Sequence, residues 1–299
     1  MSDVVSSLAS AVIFLFAKGG QQPLGTAFIV GCPNPERENL SVPFIVTAKH
    51  VVAEQHRVVG RFSPREGSRP LEVTYDLDEL RRVGDFWVHP DRGVDIAIFR
   101  TLHYREANQL AIDLSSLATK EILGSYPIHV GDNVIFPSLL VNFMGTARNY
   151  PVVRKGSIAL MPDEKVPMRY QSGKEVVVTQ QEVILLNATA TPGASGSPVF
   201  LAPESEFKVG GLALSTRERF PFLLGVIHGF YAALPREIIE NNGAAARGFF
   251  SENSGIAIVF PASRIREIME SDGFKSRIKQ LGAQTPRAAP IPSPTSRPR

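Results

Sequence analysis

Two serines, Ser195 and Ser197, lie among glycines and prolines in the stretch TPGASGSPVF, Thr191 to Phe200, just before an apolar run. A serine hydroxyl is almost never ionised at neutral pH, so it becomes a nucleophile only beside a base. The base must be held in one tautomer, and the developing oxyanion needs fixed donors. The chain has six histidines. His50 ends PFIVTAKH, an apolar strand that finishes in small residues, where a side chain can emerge at a rim. Asp95 opens the apolar run DIAIF, the setting of a cap or of an acid held at the edge of a core. Each has an ordinary reading by itself: a Ser-rich turn, a strand-end histidine, a strand-start cap. In the order His50, Asp95, Ser195 they make a candidate nucleophile, base and orienting acid.

The elements that must hold these residues are short strands. Apolar, β-branched segments such as AVIFLF, GTAFIV, PFIVTA, RVVGRF, LEVTY and DIAIF recur up to Arg100, separated by turn signals such as KGGQQP and GCPNPEREN. A more polar connection runs from Thr101 to Pro127. A second set then follows, among them HVGDNVIFP, PVVRKGSIALMP, KEVVVT, EVILLNA, SPVFLA, FLLGVIHGFY and GIAIVFP. The period changes in PASRIREIMESDGFKSRIKQLG. There Ile265, Ile268 and Met269, and then Phe274, Ile278 and Leu281, fall on one helical face. Ser263 reads as its N-cap and Gly282 as its stop, with the helix expected on the second β-unit. The proline-rich segment after Gly282 has almost nothing to bury and reads as disordered or polyproline-like.

Composition narrows the function. Apolar residues make up 43% and charged residues 20% of the 299, an ordinary globular balance. The net charge of +3 is matched by Arg287, Arg297 and Arg299 of the tail. That leaves a neutral body and no electrostatic footprint for nucleic acid. Cys32 is the single cysteine, so no intramolecular disulfide can form and a reducing, cytoplasmic setting is expected. Leu8 to Ala17 has the length of a signal-peptide core, but Asp3 replaces the positive flank. The stretch is too short to span a bilayer and reads as a buried first strand, with a secreted form as the alternative. No metal-ligand spacing and no dinucleotide or phosphate-binding glycine pattern appears, so no metal or cofactor is expected. GASGS also lacks the final glycine of an α/β-hydrolase elbow.

Taken together, GTAFIV, FIVTAKH, GVDIAIF and TPGASGSPVF resemble the trypsin-like (chymotrypsin-fold) serine peptidases, in particular bacterial members without disulfides. GVIHGFY and SGIAIVFPASRIREIM resemble the final strands and terminal helix of that fold. The resemblance implies an all-β chain of two six-stranded antiparallel barrels with a C-terminal helix. The divisions are 8–115 (carrying His50 and Asp95), 116–281 (carrying Ser195) and a tail, 282–299. It implies Ser195 as nucleophile, His50 as general base, Asp95 as the acid that orients it, and the Gly193 and Ser195 amides as the oxyanion hole. It places Thr189, Ile227, His228 and Gly229 along the substrate groove. Neither Thr189 nor Ile227 offers a fixed charge for Lys or Arg, so an apolar or small residue is expected before the cut. Strand alternation turns His228 to the other face from a pocket-reading histidine. Ala194 stands where digestive members keep the Asp that pairs with a newly cut N-terminus, so no zymogen switch of that type is expected. The implied partners are a polypeptide substrate and a regulatory protein. The implied activity is peptide-bond hydrolysis; the rival is a silent or partner-activated domain that binds peptides.

Overall fold

The structure is a computed structural model. It describes residues 2–284 except 11, 21, 68, 126–127, 173–174, 203–206, 210–211, 215–221, 233–235, 238–248 and 251–252.

The first half is built from β1 (Val12–Ala17), β2 (Pro23–Asn34), β3 (Arg37–Thr47), β4 (Arg57–Phe62), β5 (Leu71–Asp76), β6 (Phe86–Val88), β7 (Ala97–Arg100) and β8 (Ala111–Asp113). Ile13, Leu15, Ile29, Ile45, Val58 and Phe99 fill its core. The strand order is β5-β4-β1-β2-β3-β7-β6, an open path rather than the closed six-stranded barrel expected from the resemblance. β2 explains part of the difference. It is 12 residues long, and β1 covers one of its edges only from Pro23 to Phe28. β8, within the expected connection, takes the rest of that edge in parallel, opposite Ile29–Gly31. The sheet therefore has eight strands and one parallel pair.

The second half contains β9 (Asn133–Ser138), β10 (Val152–Leu160), β11 (Val166–Ser172), β12 (Glu175–Gln181), β13 (Ile184–Asn187), β14 (Pro198–Leu201), β15 (Phe207–Val209), β16 (Leu212–Leu214), β17 (Leu223–Ala232), β18 (Arg236–Glu237), β19 (Phe249–Phe250) and β20 (Asn253–Pro261). Six of these close into a barrel in the order β10-β13-β20-β17-β14-β9. Closure pairs both edges of every strand and leaves the interior to Val134, Phe136, Ile158, Leu186, Val199, Leu224, Ile227 and Val259. The three hairpins β11-β12, β15-β16 and β18-β19 stand outside it. A third core, with Phe28, Phe44, Ile98, Ile135, Phe200 and Phe260, joins the two halves.

Both chain ends depart from the sequence reading. Ser2–Ser10 is helical, so only Val12–Ala17 of the apolar N-terminal stretch is strand, and Leu8 packs into the joining core. At the other end the expected single helix is two, Ser263–Glu270 and Asp272–Gln284. Ser271 breaks them: its backbone is extended (ψ 146°), and its hydroxyl donates to Ile268 O while accepting from Phe274 N. Ala262, not Ser263, is the N-cap. The second helix returns to the first sheet. Phe274 packs on Phe44 and Trp87, Arg277 pairs with Asp85, and Asn34 Nδ2 donates to Ile278 O. Gly282 is no stop. The helix passes through it, and a Cβ there would lie 2.5 Å from the Asn34 side chain. Residues 285–299 of the predicted tail lie outside the described residues. Among the described residues no helix is long and apolar enough to cross a membrane.

Candidate active site

His50 sits on a one-turn helix, Lys49–Val52, directly after β3. Val51 and Val52 are buried and anchor this turn, which leaves the His50 ring partly exposed at the rim. Asp95 lies two residues before β7 and is buried. Lys49 N donates to Asp95 O (3.2 Å) and His50 N to Asp95 Oδ1 (2.8 Å), so backbone bonds fix the acid against the helix. The second carboxylate oxygen, Oδ2, is 2.6 Å from His50 Nδ1. Oδ2 is also 2.6 Å from His228 Nδ1, on β17.

Burial alone would raise the Asp95 carboxyl. The His50 charge and the hydrogen bonds from both imidazoles outweigh it and hold the group well below the usual carboxylate range. An ionised carboxylate only accepts hydrogen bonds, so both Nδ1 atoms carry protons and donate. The neutral His50 ring then keeps Nε2 as a free base lone pair. Burial works against the His50 imidazolium, and Lys49 does so weakly. The Asp95 charge and hydrogen bond override both and raise the pKa above its ordinary value.

His50, Asp95 and His228 offer one ligand atom each, all within 4.8 Å of one another. The two N···O separations of 2.6 Å are hydrogen-bond distances. Ligands around one tetrahedral zinc, at bonds near 2.0–2.1 Å, stand about 3.3 Å apart. The observed spacing suits shared protons.

The serine loop is set by local sequence. Ala194 N donates to Thr191 O (2.9 Å) across Pro192 and Gly193, and Gly193 has φ +95°. Pro at the second position and a left-handed Gly at the third make a type II turn. The pattern repeats one step on: Ser197 N donates to Ala194 O, and Gly196 has φ +85°. Ser195 is thus carried between two glycine-dependent corners. Among the described residues, no protein acceptor takes the Gly193 or Ser195 amide N–H, which leaves both donors available to an oxyanion. Ser197 is fully buried and cannot meet a substrate, whereas Ser195 is partly exposed.

Thr26, Arg154 and Ile227 lock this loop to the rest of the molecule. Thr26 N donates to Ser195 O (2.8 Å), and Thr26 Oγ1 donates to Gly193 O (2.7 Å) while accepting from Leu139 N. Arg154 donates to Ser138 Oγ and, at 2.7 Å, to Thr191 Oγ1. It therefore ties β9 and β10 to the start of the first turn. Burial lowers its pKa, and it makes no ion pair with a carboxylate among the described residues. Gly196 N bonds Ile227 O, and Ile227 N bonds Ser197 O, which joins the loop to β17.

Ser195 Oγ donates to the carbonyl of His228 at 2.9 Å. Among the described residues, Ser195 and His50 make no hydrogen bond. Structure therefore brings Asp95, His50 and His228 together directly and reaches Ser195 through His228. The remaining groove candidates differ in exposure. Ile227 is fully buried and packs in the barrel core. Thr189 is exposed, just past β13. Gly229 is partly exposed, and a Cβ there would meet nothing within 4 Å. Cys32 and His89 are both buried. Burial pushes the Cys32 thiol up to about 11. His89 is buried, with Nε2 on Glu267 and Nδ1 accepting from Asp91 N.

Comparison with known proteins bears on these observations. The family model for the trypsin-like peptidase domain matches residues 25–207. No curated protein sequence matches the chain. Among solved structures, the apo MamO protease domain from Magnetospirillum magneticum is similar, with TM-score 0.50 and 14% identity, over 88% of this chain and 97% of that one. AlgW, an HtrA-type protease solved with a decapeptide, has TM-score 0.48 and 16% identity, over 94% of this chain and 68% of that one.

Proposed function

This chain belongs to the trypsin-like peptidase family, and we propose that it is a serine endopeptidase working through Ser195, His50 and Asp95. The observation that carries this reading is the Asp95 carboxylate. It is buried and ionised, and it holds the His50 amide and the His50 Nδ1–H at 2.8 and 2.6 Å. That arrangement fixes the tautomer with a basic Nε2.

In the reaction, the Ser195 hydroxyl leaves His228 O by rotation about its Cα–Cβ bond and donates to His50 Nε2. Ser195 Oγ attacks the carbonyl carbon of the scissile peptide as His50 takes the proton. The carbonyl oxygen becomes an oxyanion facing the Gly193 and Ser195 amides. Collapse breaks the C–N bond, His50 returns the proton to the leaving amine, and an acyl-enzyme remains on Ser195. Water, deprotonated by His50, releases the acid and restores Ser195. Asp95 stays ionised throughout and stabilises the imidazolium. Substrates are polypeptides, entering beside Gly229, with an apolar or small residue before the cut. The lone, buried Cys32 fits action in a reducing, cytoplasmic setting.

A second reading rests on the Ser195–His228 bond. The hydroxyl is parked away from its base, as in a domain that waits for a substrate or a regulatory partner to release it. A fluorophosphonate probe separates the two. The first reading expects labelling of the purified chain, lost in Ser195→Ala and His50→Ala. Labelling that appears only with an added partner favours the second. No labelling of folded protein under any condition refutes the peptidase.

A further inference from the structure

One side chain at the buried carboxylate has no role in the reaction above: the His228 imidazole shares the Asp95 oxygen that holds His50. His228 is 10% exposed at its side chain, yet its Nδ1 reaches the same Oδ2 as His50. The backbone is built for this. Along β17, Ile227 pairs with Val259 and Gly229 with Ile258, two steps on one strand against one on the other. His228 is therefore the extra residue of a β-bulge, a device that re-aims a side chain. The ring of Phe260 stands edge-on to the imidazole at 5.8 Å and limits its rotation. The His50 ring stands edge-on at 5.3 Å. The main chain of the same residue accepts the Ser195 hydroxyl.

We propose that His228 is a positioning residue of the active site: its imidazole holds Asp95 in place for His50, and its carbonyl holds the resting Ser195 hydroxyl. This rests on the peptidase reading and deepens it. Asp95 Oδ2 divides its charge between two N–H donors, so His228 moderates how strongly the acid retains a proton on His50. Among the described residues, the charged and titratable groups that act on His50 and Asp95 are these two, His228 and Lys49.

The test compares His228→Asn with His228→Leu. The Asn amide nitrogen can donate from the position of Nδ1; Leu keeps bulk and donates nothing. The expected result for His228→Leu is a fluorophosphonate labelling rate about 10- to 100-fold lower, the scale of one lost hydrogen bond to a charged group. Asn restores most of the rate. Histidine NMR titration in the Ser195→Ala background reads the same effect without activity. With His228→Leu, Asp95 serves His50 alone, and the His50 midpoint moves to higher pH; with Asn it stays near the parent value. Thermal unfolding establishes that both variants are folded. Equal loss in Leu and Asn, or an unmoved His50 titration in folded His228→Leu, overturns the proposal. Absent labelling of the folded parent protein under any condition, an added partner included, would refute the peptidase reading, while the NMR titration still decides the role of His228.

Discussion

Asp95→Asn is the most informative single change, because it keeps shape and removes one charge at a buried point where three donors converge. Asn Oδ1 can still accept from the His50 amide, now at 2.8 Å. Its NH₂ group then replaces Oδ2 and faces His50 Nδ1 and His228 Nδ1, each 2.6 Å away. A donor cannot face a donor, so both rings must present bare Nδ1 atoms and move their protons to Nε2. His50 Nε2–H can no longer accept the Ser195 proton. In a Ser-His-Asp triad the wrong tautomer costs about 10⁴ in rate, or about 5 kcal/mol at 1.36 kcal/mol per tenfold. Stability should change far less. Three charge-assisted hydrogen bonds are replaced by weaker ones, a loss of a few kcal/mol at most, and the cost of burying a charge is removed with them. The assay is the second-order rate of fluorophosphonate labelling, with a urea unfolding curve beside it. A folded Asp95→Asn protein that labels within tenfold of the parent would refute the tautomer argument.

Other consequences can be checked in the same preparations. Gly196→Ala puts a Cβ 2.0 Å from Thr26 O and 2.3 Å from Thr47 Oγ1, at φ +85°; the left-handed backbone alone costs about 1–2 kcal/mol, so a lower urea midpoint and a large drop in labelling are expected. Labelling requires neutral His50, whose pKa is raised; the rate should therefore climb with pH through a midpoint above the ordinary value of about 6.5. In stability the signs are opposed: the His50 contribution is full below about pH 6.5 and fades as pH rises through its folded pKa, whereas that of Asp95, depressed when folded, is full above about pH 3.9 and fades on acidification. Urea midpoints from pH 3 to 9, in parent and Asp95→Asn, separate the two. Cys32 is buried with its thiol pushed up to about 11; iodoacetamide should leave the native protein unmodified and its labelling rate unchanged, while urea exposes the thiol.

Much of this molecule is written in short stretches of sequence. Thr-Pro-Gly-Ala specifies a type II turn because proline presets one backbone angle and glycine permits the next; no distant contact is needed to choose it. Apolar β-branched runs specify strands for the same local reason, and residue type and order single out His50 and Asp95, which meet at 2.6 Å, with Ser195 as the candidate nucleophile. Tertiary structure decided what local preference cannot encode. Whether the first sheet closes depends on which strand takes the free edge of β2, and β8 takes it from some 80 residues away in the chain. The second terminal helix docks on the first sheet because Phe274 meets Phe44 and Trp87, a contact between sequence-distant surfaces. The bulge at His228 appears only in the pairing of β17 with β20. Period-two alternation assigns a side chain to a face of the strand, but not to a partner across the molecule. The packing of two halves around one buried carboxylate brings the second imidazole to it and leaves the Ser195 hydroxyl on a carbonyl of β17.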